Sequence, residues 1–421
     1  MTHRALLLLL RASARSPLAR RLFVRAAPVV RALAQASLVL GLGLGSCSSV
    51  QGPPPSAQGW QDGDERPRSA APPVGRVAVA PPTSVPSPPA VLAAGIRGFC
   101  VHGGAPLVGA PLVDRQGRLY LVTRDGYLHA YEEDGRYRFS YTVAGIPVGS
   151  PSLRESDGAV LLGTTARAVY GIGSQGQLFF RAHTVTPVWS GLHAQNKSSV
   201  VYLGLDRFLY ALSNHGAALY RVAVPGQPVG EPVVGPDGTV WVPLDSGLAR
   251  FEQAFSVKRW ALPGPAEELA LGGHGPLVLS GGTLYAFDAS GTALEVGEAE
   301  ALLGDGRSVL ALDAEGGGRW LDGGDPARSR RITLPEPLRA GGPGDLAATR
   351  ALVPLGTGEV AEIDLGDPEH PAVRRRALLH EPLTLVAFTP QPGRLLVTSI
   401  SGRACLLDDP FLAARAAPGS R

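Results

Sequence analysis

Residues Val122 to Val143 read VTRDGYLHAYEEDGRYRFSYTV. This stretch holds two Asp-Gly pairs, at residues 125–126 and 134–135, each between runs of alternating apolar and polar residues. Such a pair is the strongest short-range indication of a β-hairpin, because a type I′ turn needs positive φ at both central positions. The stretch therefore predicts a compact antiparallel meander of three strands joined by two-residue turns.

The same pattern returns along the chain at intervals of about 40 residues, which is the period of a four-stranded propeller blade. Copies of the third strand and its turn begin at His129, Tyr170, Tyr210, Gly247 and Tyr285, the Gly247 copy being degenerate. Copies of the preceding strand begin at Gly117, Gly158, Ser199, Gly238, Gly275, Gly306, Thr349 and Gly393.

Eight units of four short strands predict an all-β, eight-bladed β-propeller. An isolated four-stranded meander cannot cover both of its faces, so it must stack on neighbours around an axis. The copies between residues 300 and 380 are weak, so a seven-bladed ring is the alternative blade count. An irregular β-sandwich with accidental glycine spacing is the alternative fold.

The repeated pairs of strands, such as GRLYLVTRDG from Gly117 followed by YLHAYEEDG from Tyr127, resemble the repeats of pyrroloquinoline-quinone-like (PQQ-like) propellers. That family includes quinone-dependent alcohol dehydrogenases and the propeller lipoprotein of the outer-membrane β-barrel assembly machinery. The resemblance covers about residues 97–408. It implies either a protein-binding or assembly scaffold or, as the alternative, a quinone-dependent oxidoreductase or another propeller enzyme such as a lyase or hydrolase.

Two features favour the scaffold over the enzyme. The blades of the dehydrogenases carry a tryptophan in the last strand that docks one blade on the next, whereas the five tryptophans here (60, 189, 241, 260 and 320) do not recur in register. The vicinal cysteine pair and calcium ligands of those enzymes also have no recognisable counterpart. We therefore expect a binding propeller with no catalytic residue, no cofactor and no metal.

The first 46 residues have the parts of a secretory signal: seven arginines and no acid, an apolar run at 32–45, and small residues before Cys47. The order Leu44, Gly45, Ser46, Cys47 resembles the lipobox of bacterial lipoproteins, which implies removal of residues 1–46 and lipidation of Cys47. An organelle transit peptide is the alternative reading of the arginine-rich leader. A buried cysteine in an apolar helix is the alternative for Cys47.

Residues 47–94 follow as a lipidated cysteine and a proline-rich, disordered tether, since residues 48–94 contain eleven prolines. Residue 48 is not the aspartate that in many lipoproteins retains the protein in the inner membrane. We therefore expect an outer-membrane anchor with the propeller in the periplasm, or alternatively on the cell surface. The propeller is predicted at 95–410, followed by a C-terminal tail at 411–421.

The last unit lacks a fourth strand, and residues 97–102 are predicted to supply it, because Phe99 aligns with the last-strand residue Phe139 at an offset of one repeat. The same alignment makes Cys100 equivalent to Ser140 and Cys405 equivalent to His129, two residues that a hairpin places opposite each other. We therefore predict a disulfide between Cys100 and Cys405, with two buried free thiols as the alternative.

Other chemistry is not indicated. The formal charge of +3 comes from the leader, which leaves −4 for the rest, so nucleic acid is not an expected partner. The chain has no nucleophile elbow, zinc motif or P-loop. His129 and His215 occupy repeat positions, and Glu132, Glu133 and Asp134 form a solvated turn. Candidate surfaces are residues 222–235 (VAVPGQPVGEPVVG) and Arg374–Arg376. We expect a monomer that binds an envelope protein and reaches the membrane through its lipid.

Overall fold

The computed structural model describes residues 92–154, 157–252, 256–288, 290–313, 315, 317–335, 338 and 340–412. All of them belong to one compact unit, Arg76–Arg421. The predicted signal peptide, the lipidated Cys47, almost all of the tether and most of the C-terminal tail lie outside the described residues.

Thirty-two strands form eight antiparallel four-stranded sheets, so the prediction of an eight-bladed propeller is confirmed. The strands of blades 1 to 4 are β2 Leu112–Val113, β3 Leu119–Val122, β4 Tyr127–Tyr131, β5 Tyr137–Thr142; β6 Pro147–Leu153, β7 Val160–Thr164, β8 Ala168–Ile172, β9 Leu178–His183; β10 His193–Asn196, β11 Ser199–Leu203, β12 Phe208–Ser213, β13 Ala218–Ala223; and β14 Val233–Val234, β15 Val240–Leu244, β16 Gly247–Glu252, β17 Ser256–Ala261.

Blades 5 to 8 continue the order and end with the strand that begins the chain. Their strands are β18 Glu268–Gly272, β19 Gly275–Ser280, β20 Thr283–Phe287, β21 Ala293–Glu298; β22 Ala301–Gly304, β23 Val309–Leu312, β24 Gly317–Leu321, β25 Ser329–Thr333; β26 Asp345–Ala347, β27 Arg350–Pro354, β28 Glu359–Asp364, β29 Ala372–Ala377; and β30 Leu383–Phe388, β31 Arg394–Ser399, β32 Arg403–Asp408 and β1 Gly98–His102. Two short 3-10 turns, Asp322–Gly324 and Pro326–Arg328, join β24 to β25.

The apolar residues of the middle strands place the core between the blades. Strands β3, β7, β11 and β15 are buried along their whole length, because both faces of each blade pack on a neighbour. Eight hydrophobic clusters result, and each joins two adjacent blades. The cluster between blades 8 and 1, which contains Leu406 and Leu119, shows that the ring is closed.

The N-terminal strand β1 closes the ring, as predicted, by pairing with β32 as the fourth strand of blade 8. Cys100 lies directly opposite Cys405 in this pairing, so the predicted register is confirmed. Their Cα atoms are 4.0 Å apart, and the structure joins their sulfur atoms at 2.03 Å. Before this strand, Leu92 forms a bridge with Leu379 in the loop between blades 7 and 8.

The two turns of the opening stretch differ from the predicted type I′ geometry. Gly126 and Gly135 have positive φ, but Asp125 and Asp134 do not. The N–H of Glu132 donates to the carbonyl of Arg136, which makes a longer turn, and a bulge in β5 then restores the register. His129 and Ser140 face each other as predicted because these two deviations cancel.

Aromatic rings dock one blade on the next, although the tryptophans do not recur in register. Fourth-strand aromatic rings pack on the turn glycine of the next blade: Phe99 on Gly135, Phe139 on Gly176, Phe180 on Gly216 and Trp260 on Gly291. A Cβ on Gly216 would lie 2.5 Å from the ring of Phe180, so only glycine allows this contact. The sequence repeats the position but not the residue type, and a search for tryptophan alone misses it.

Candidate functional site

The two ends of the propeller carry different loops. Because the strands of each blade are antiparallel, the loops between second and third strands lie at the same end as the loops that lead into the next blade. We call this end the upper rim. Its loops are tied together by backbone hydrogen bonds of 2.9–3.0 Å, in which Arg124 donates to Pro106, Thr165 to Ile146, Leu205 to Pro187, Asp245 to Gln227 and Ile400 to Pro382.

Five large apolar side chains project from the upper rim into solvent, and we call them the apolar crescent. They are Ile146, Val185, Leu205, Val229 and Ile400, with exposed fractions of 46%, 52%, 61%, 44% and 71%. Blades 2, 3 and 4, or the loops that lead into them, supply four of the five, and blade 8 supplies Ile400. Clustered exposed apolar side chains on a soluble domain mark an interaction site more often than scattered ones do.

A cavity of about 710 Å³ opens on the same rim, between blades 8 and 1. Hydroxyl groups and short loop backbones dominate its wall, and Ile400 stands at its edge. The lining includes His102, Pro106, Leu107, Ser150, Pro343, Thr384, Thr398, Ser399, Ile400 and Ser401. This volume lies within the range of ligand pockets, and the wall offers hydrogen bonds and apolar contacts without a carboxylate or an ammonium group.

His102, the one imidazole in this wall, is held by two backbone groups. Its Nδ1 accepts a hydrogen bond of 2.9 Å from the N–H of Gly104, and its Nε2 lies 2.9 Å from the carbonyl oxygen of Ser401. These contacts assign the proton to Nε2. Nε2 thus joins β1 to the loop of blade 8, and Nδ1 holds the segment that follows β1, which leaves no free lone pair for general-base chemistry.

Glu231 lies beside the central channel and joins three blades. Its carboxylate accepts a hydrogen bond of 3.2 Å from the N–H of Ser150 and lies 3.4 Å from Nε2 of His193. Burial raises the pKa of Glu231, but the bonds from His193, Ser150 and Gly191 outweigh it, so the net shift is downward. The residue is an anion that satisfies inner-strand N–H groups.

The structure separates the residues that the sequence singled out. Cys100 and Cys405 lie in the core between blades 7 and 8 rather than on the rim. Residues 222–235 supply Val229 to the crescent, whereas Arg374–Arg376 lie on the outer strand β29. Sequence reasoning missed Leu205 and Ile400, although aligning the repeats places both at the turn position of Arg124.

The described part of the chain has neither a cluster of metal ligands nor a membrane-spanning helix. There, no three His, Cys, Asp or Glu side chains come close enough together to hold a metal ion. No helix in that part has the length and apolarity needed to cross a bilayer.

Comparison with known proteins agrees with the geometry. The family model described as outer membrane protein assembly factor BamB matches residues 166–320, from the third strand of blade 2 to that of blade 6. The chain is thus an eight-bladed β-propeller with PQQ-like repeats. In repeat family and architecture it is similar to BamB.

Two solved structures share the fold. The crystal structure of BamB from Moraxella catarrhalis has a TM-score of 0.55 at 15% identity, over 74% of this chain and 99% of that one. The computationally designed Ika8 protein has a TM-score of 0.55 at 13% identity, over 74% and 98%. No curated protein matches in sequence. Since a designed protein shares the fold equally well, function must be argued from the site.

Proposed function

We propose that this protein is a membrane-anchored lipoprotein of the cell envelope whose propeller is a protein-binding or assembly scaffold. The observation that carries the proposal is the apolar crescent, which is exposed on a backbone that neighbouring loops already hold in place. The match of residues 166–320 to the BamB family model supports it, because that family is described as an assembly factor.

The crescent can supply the anchors of an interface. Burial of a large aliphatic side chain contributes about 1.5–3 kcal/mol, so five partly exposed side chains offer several kcal/mol to a partner. Because the loops are hydrogen-bonded in advance, little ordering entropy offsets this gain. The adjacent cavity can accept one apolar side chain of the partner, with Ile400 beside it.

The occupant we propose is a folded envelope protein that presents an apolar ridge. Charges of both signs lie near the crescent: Asp206 and Arg207 share the loop of Leu205, and Arg124 and Asp245 lie in the equivalent loops of blades 1 and 4. Such a mixture does not favour a strongly acidic or strongly basic partner. Shape and apolar contact therefore set the specificity.

The proposed anchor is a lipid on Cys47, joined to the propeller by the proline-rich segment. The proposed location is the outer membrane with the propeller in the periplasm, and the cell surface is the alternative. Metabolic labelling with a fatty-acid analogue tests the anchor, since a Cys47→Ser variant should lose both the label and membrane association.

Site-specific crosslinking in the native envelope tests the binding face. A photo-reactive residue at position 205 or 400 should capture one defined partner. The variants Leu205→Asp and Ile400→Asp should reduce recovery of that partner about tenfold or more, as loss of a buried anchor predicts. Matched controls are Leu219→Asp and Leu294→Asp, which change side chains 52% and 48% exposed on outer strands. Equal loss in the controls, or a bound quinone in the purified protein, would refute the proposal.

A further inference from the structure

The outer strands of two neighbouring blades carry an unusual concentration of positive charge. Strands β25 (SRRIT) and β29 (AVRRRA) contain five arginines and no acid. The outer strand of blade 5, β21 (ALEVGE), has two glutamates and no basic residue. We call Arg330, Arg331, Arg374, Arg375 and Arg376 the basic flank. It stands out because the chain after the leader is acidic overall.

Most of these guanidinium groups are open to solvent. Arg330, Arg331, Arg375 and Arg376 are exposed, and Arg374 is half-buried. Arg374 lies 3.6 Å from the carboxylate of the buried Glu362, so this ion pair partly neutralises its charge within the blade. Within the described residues, Arg330, Arg331 and Arg376 form no ion pair.

The fold brings two of these like charges to one cleft. Ile332 packs in the core between blades 6 and 7, so Arg330, two residues before it on the same strand, points toward blade 7. Ala361 belongs to the same core and lies opposite Arg375, so Arg375 points toward blade 6. Both guanidinium groups therefore lie at the boundary between blades 6 and 7 and add positive charge there. Their arrangement favours an anionic ligand.

The described chain begins beside the flank. The N–H of Ala93 donates to the carbonyl of Leu378 at 3.0 Å, and Leu378 directly follows the end of β29 at Ala377. Arg97, in the segment that leads to β1, is also exposed. A lipid on Cys47 would therefore be connected to the ring beside blade 7, since the described chain begins there.

We propose that the basic flank docks the propeller on the anionic headgroups of a lipid surface. Guanidinium groups bind phosphate oxygens in a bidentate manner and are weakly hydrated, which suits them to this contact. A single lipid anchor gains greatly from a nearby polybasic patch. The geometry favours lipid over protein, because none of the exposed large apolar side chains that anchor protein interfaces lies on the described residues of blades 6 and 7.

This docking leaves the crescent accessible. In a ring of eight, blades 6 and 7 lie opposite blades 2 and 3, which carry three of the five crescent side chains. The membrane contact and the partner contact therefore use different sides of the propeller. The inference rests on the proposed lipid anchor for its orientation, but the charge pattern can be tested without any lipid on the protein.

The test uses the chain from Arg76 to Arg421, which contains every described strand pairing and lacks Cys47. It is mixed with vesicles of phosphatidylcholine, with or without about one-third phosphatidylglycerol, and the bound fraction is measured by sedimentation. We expect binding to the anionic vesicles only, with strong weakening as salt rises. Inorganic phosphate at a matched phosphate concentration should not displace the protein, because the bilayer presents many headgroups at once.

The variant Arg330→Gln/Arg331→Gln/Arg376→Gln should lower the partition coefficient by about 100-fold, since each arginine near an anionic surface contributes about a factor of five. The control Arg115→Gln/Arg136→Gln/Lys258→Gln removes the same charge from exposed positions of blades 1 and 4 and should change it by less than about threefold. Equal losses in the two variants would overturn the proposal.

Displacement of the protein from the vesicles by free phosphate would also overturn the proposal. Binding to an acidic peptide without binding to the anionic vesicles would do the same. The crosslinking at positions 205 and 400 tests partner binding by the crescent independently of lipid binding. The two proposals can therefore fail independently.

Discussion

His129 shows how one repeat position serves different chemistry in different blades. Its Nδ1 lies 2.6 Å from the Oγ of Ser140, which also accepts a hydrogen bond of 2.8 Å from the hydroxyl of Tyr137. The equivalent positions in blade 8 are Cys405 and Cys100. The same cross-strand pair is thus a polar contact in one blade and a sulfur pair in its neighbour.

The burial of His129 predicts a loss of stability in mild acid. Burial lowers the pKa of His129, with the charge of Asp125 acting weakly in the opposite direction. The unfolded state therefore takes up a proton near pH 6.5 while the folded state does not, so stability falls as the pH drops through this value toward the folded pKa. Urea unfolding as a function of pH should show this fall in the wild-type chain.

The variant His129→Gln should be less stable at neutral pH and should lose less of its remaining stability on acidification. His215→Gln, at an exposed turn, is the matched control and should follow the wild-type curve. An unchanged pH profile in His129→Gln would show that this imidazole does not carry the effect.

Between neighbouring blades, the contact that recurs is an aromatic ring of the fourth strand packed on the turn glycine of the next blade. Replacing Phe180 by Ala should lower the free energy of unfolding by about 2 kcal/mol, because the ring is only partly buried. Gly216→Ala should also destabilise, since its φ of +82° disfavours a side chain and the new Cβ would collide with Phe180.

A double-mutant cycle separates these two causes. In the Phe180→Ala background the cost of Gly216→Ala should fall to that of the backbone strain alone, about 1–2 kcal/mol. Strict additivity of the two changes would contradict the proposed contact. Gly306→Ala is a control for strain without collision, since its φ is +81° and no atom lies within 4 Å of its added Cβ.

The sequence predicts the strands better than it predicts their contacts. All eight copies of the second strand fall on β3, β7, β11, β15, β19, β23, β27 and β31, because apolar runs before glycine turns are local features. The docking rings were missed because the position holds Phe in blades 8, 1 and 2 and Trp in blade 4. The crescent was missed because Leu205 and Ile400 are almost 200 residues apart in the chain. They lie on the same rim only because the blades form a closed ring.

For the whole molecule, the sulfur pair links the two ends of the ring across a sequence separation of 305 residues. In the chain-entropy model such a link stabilises the folded state by about 3–5 kcal/mol. Protein isolated without reductant should therefore unfold at a higher temperature than the same protein after reduction and alkylation. Its mass should also be lower by two hydrogen atoms than that of the reduced protein before alkylation.

The double variant Cys100→Ser/Cys405→Ser should unfold at a lower temperature than the oxidised protein and should not respond to reductant. Identical masses with and without reductant would contradict the link. A normal unfolding temperature in the double variant would show that the strand pairing alone holds the ring.

Blade 8 combines the first strand of the chain with its last three strands, which determines when folding of the ring can finish. Strand β1 leaves the ribosome first, yet its partner β32 ends only at Asp408, so the first strand must wait for almost the whole chain. Bringing the two together costs loop-closure entropy of about 5 kcal/mol. A chain cut short before β32 leaves β1 without its partner and both ends of the sheet array open to other strands. The placement of one five-residue strand thus acts as a check that synthesis has run to the end of the last blade.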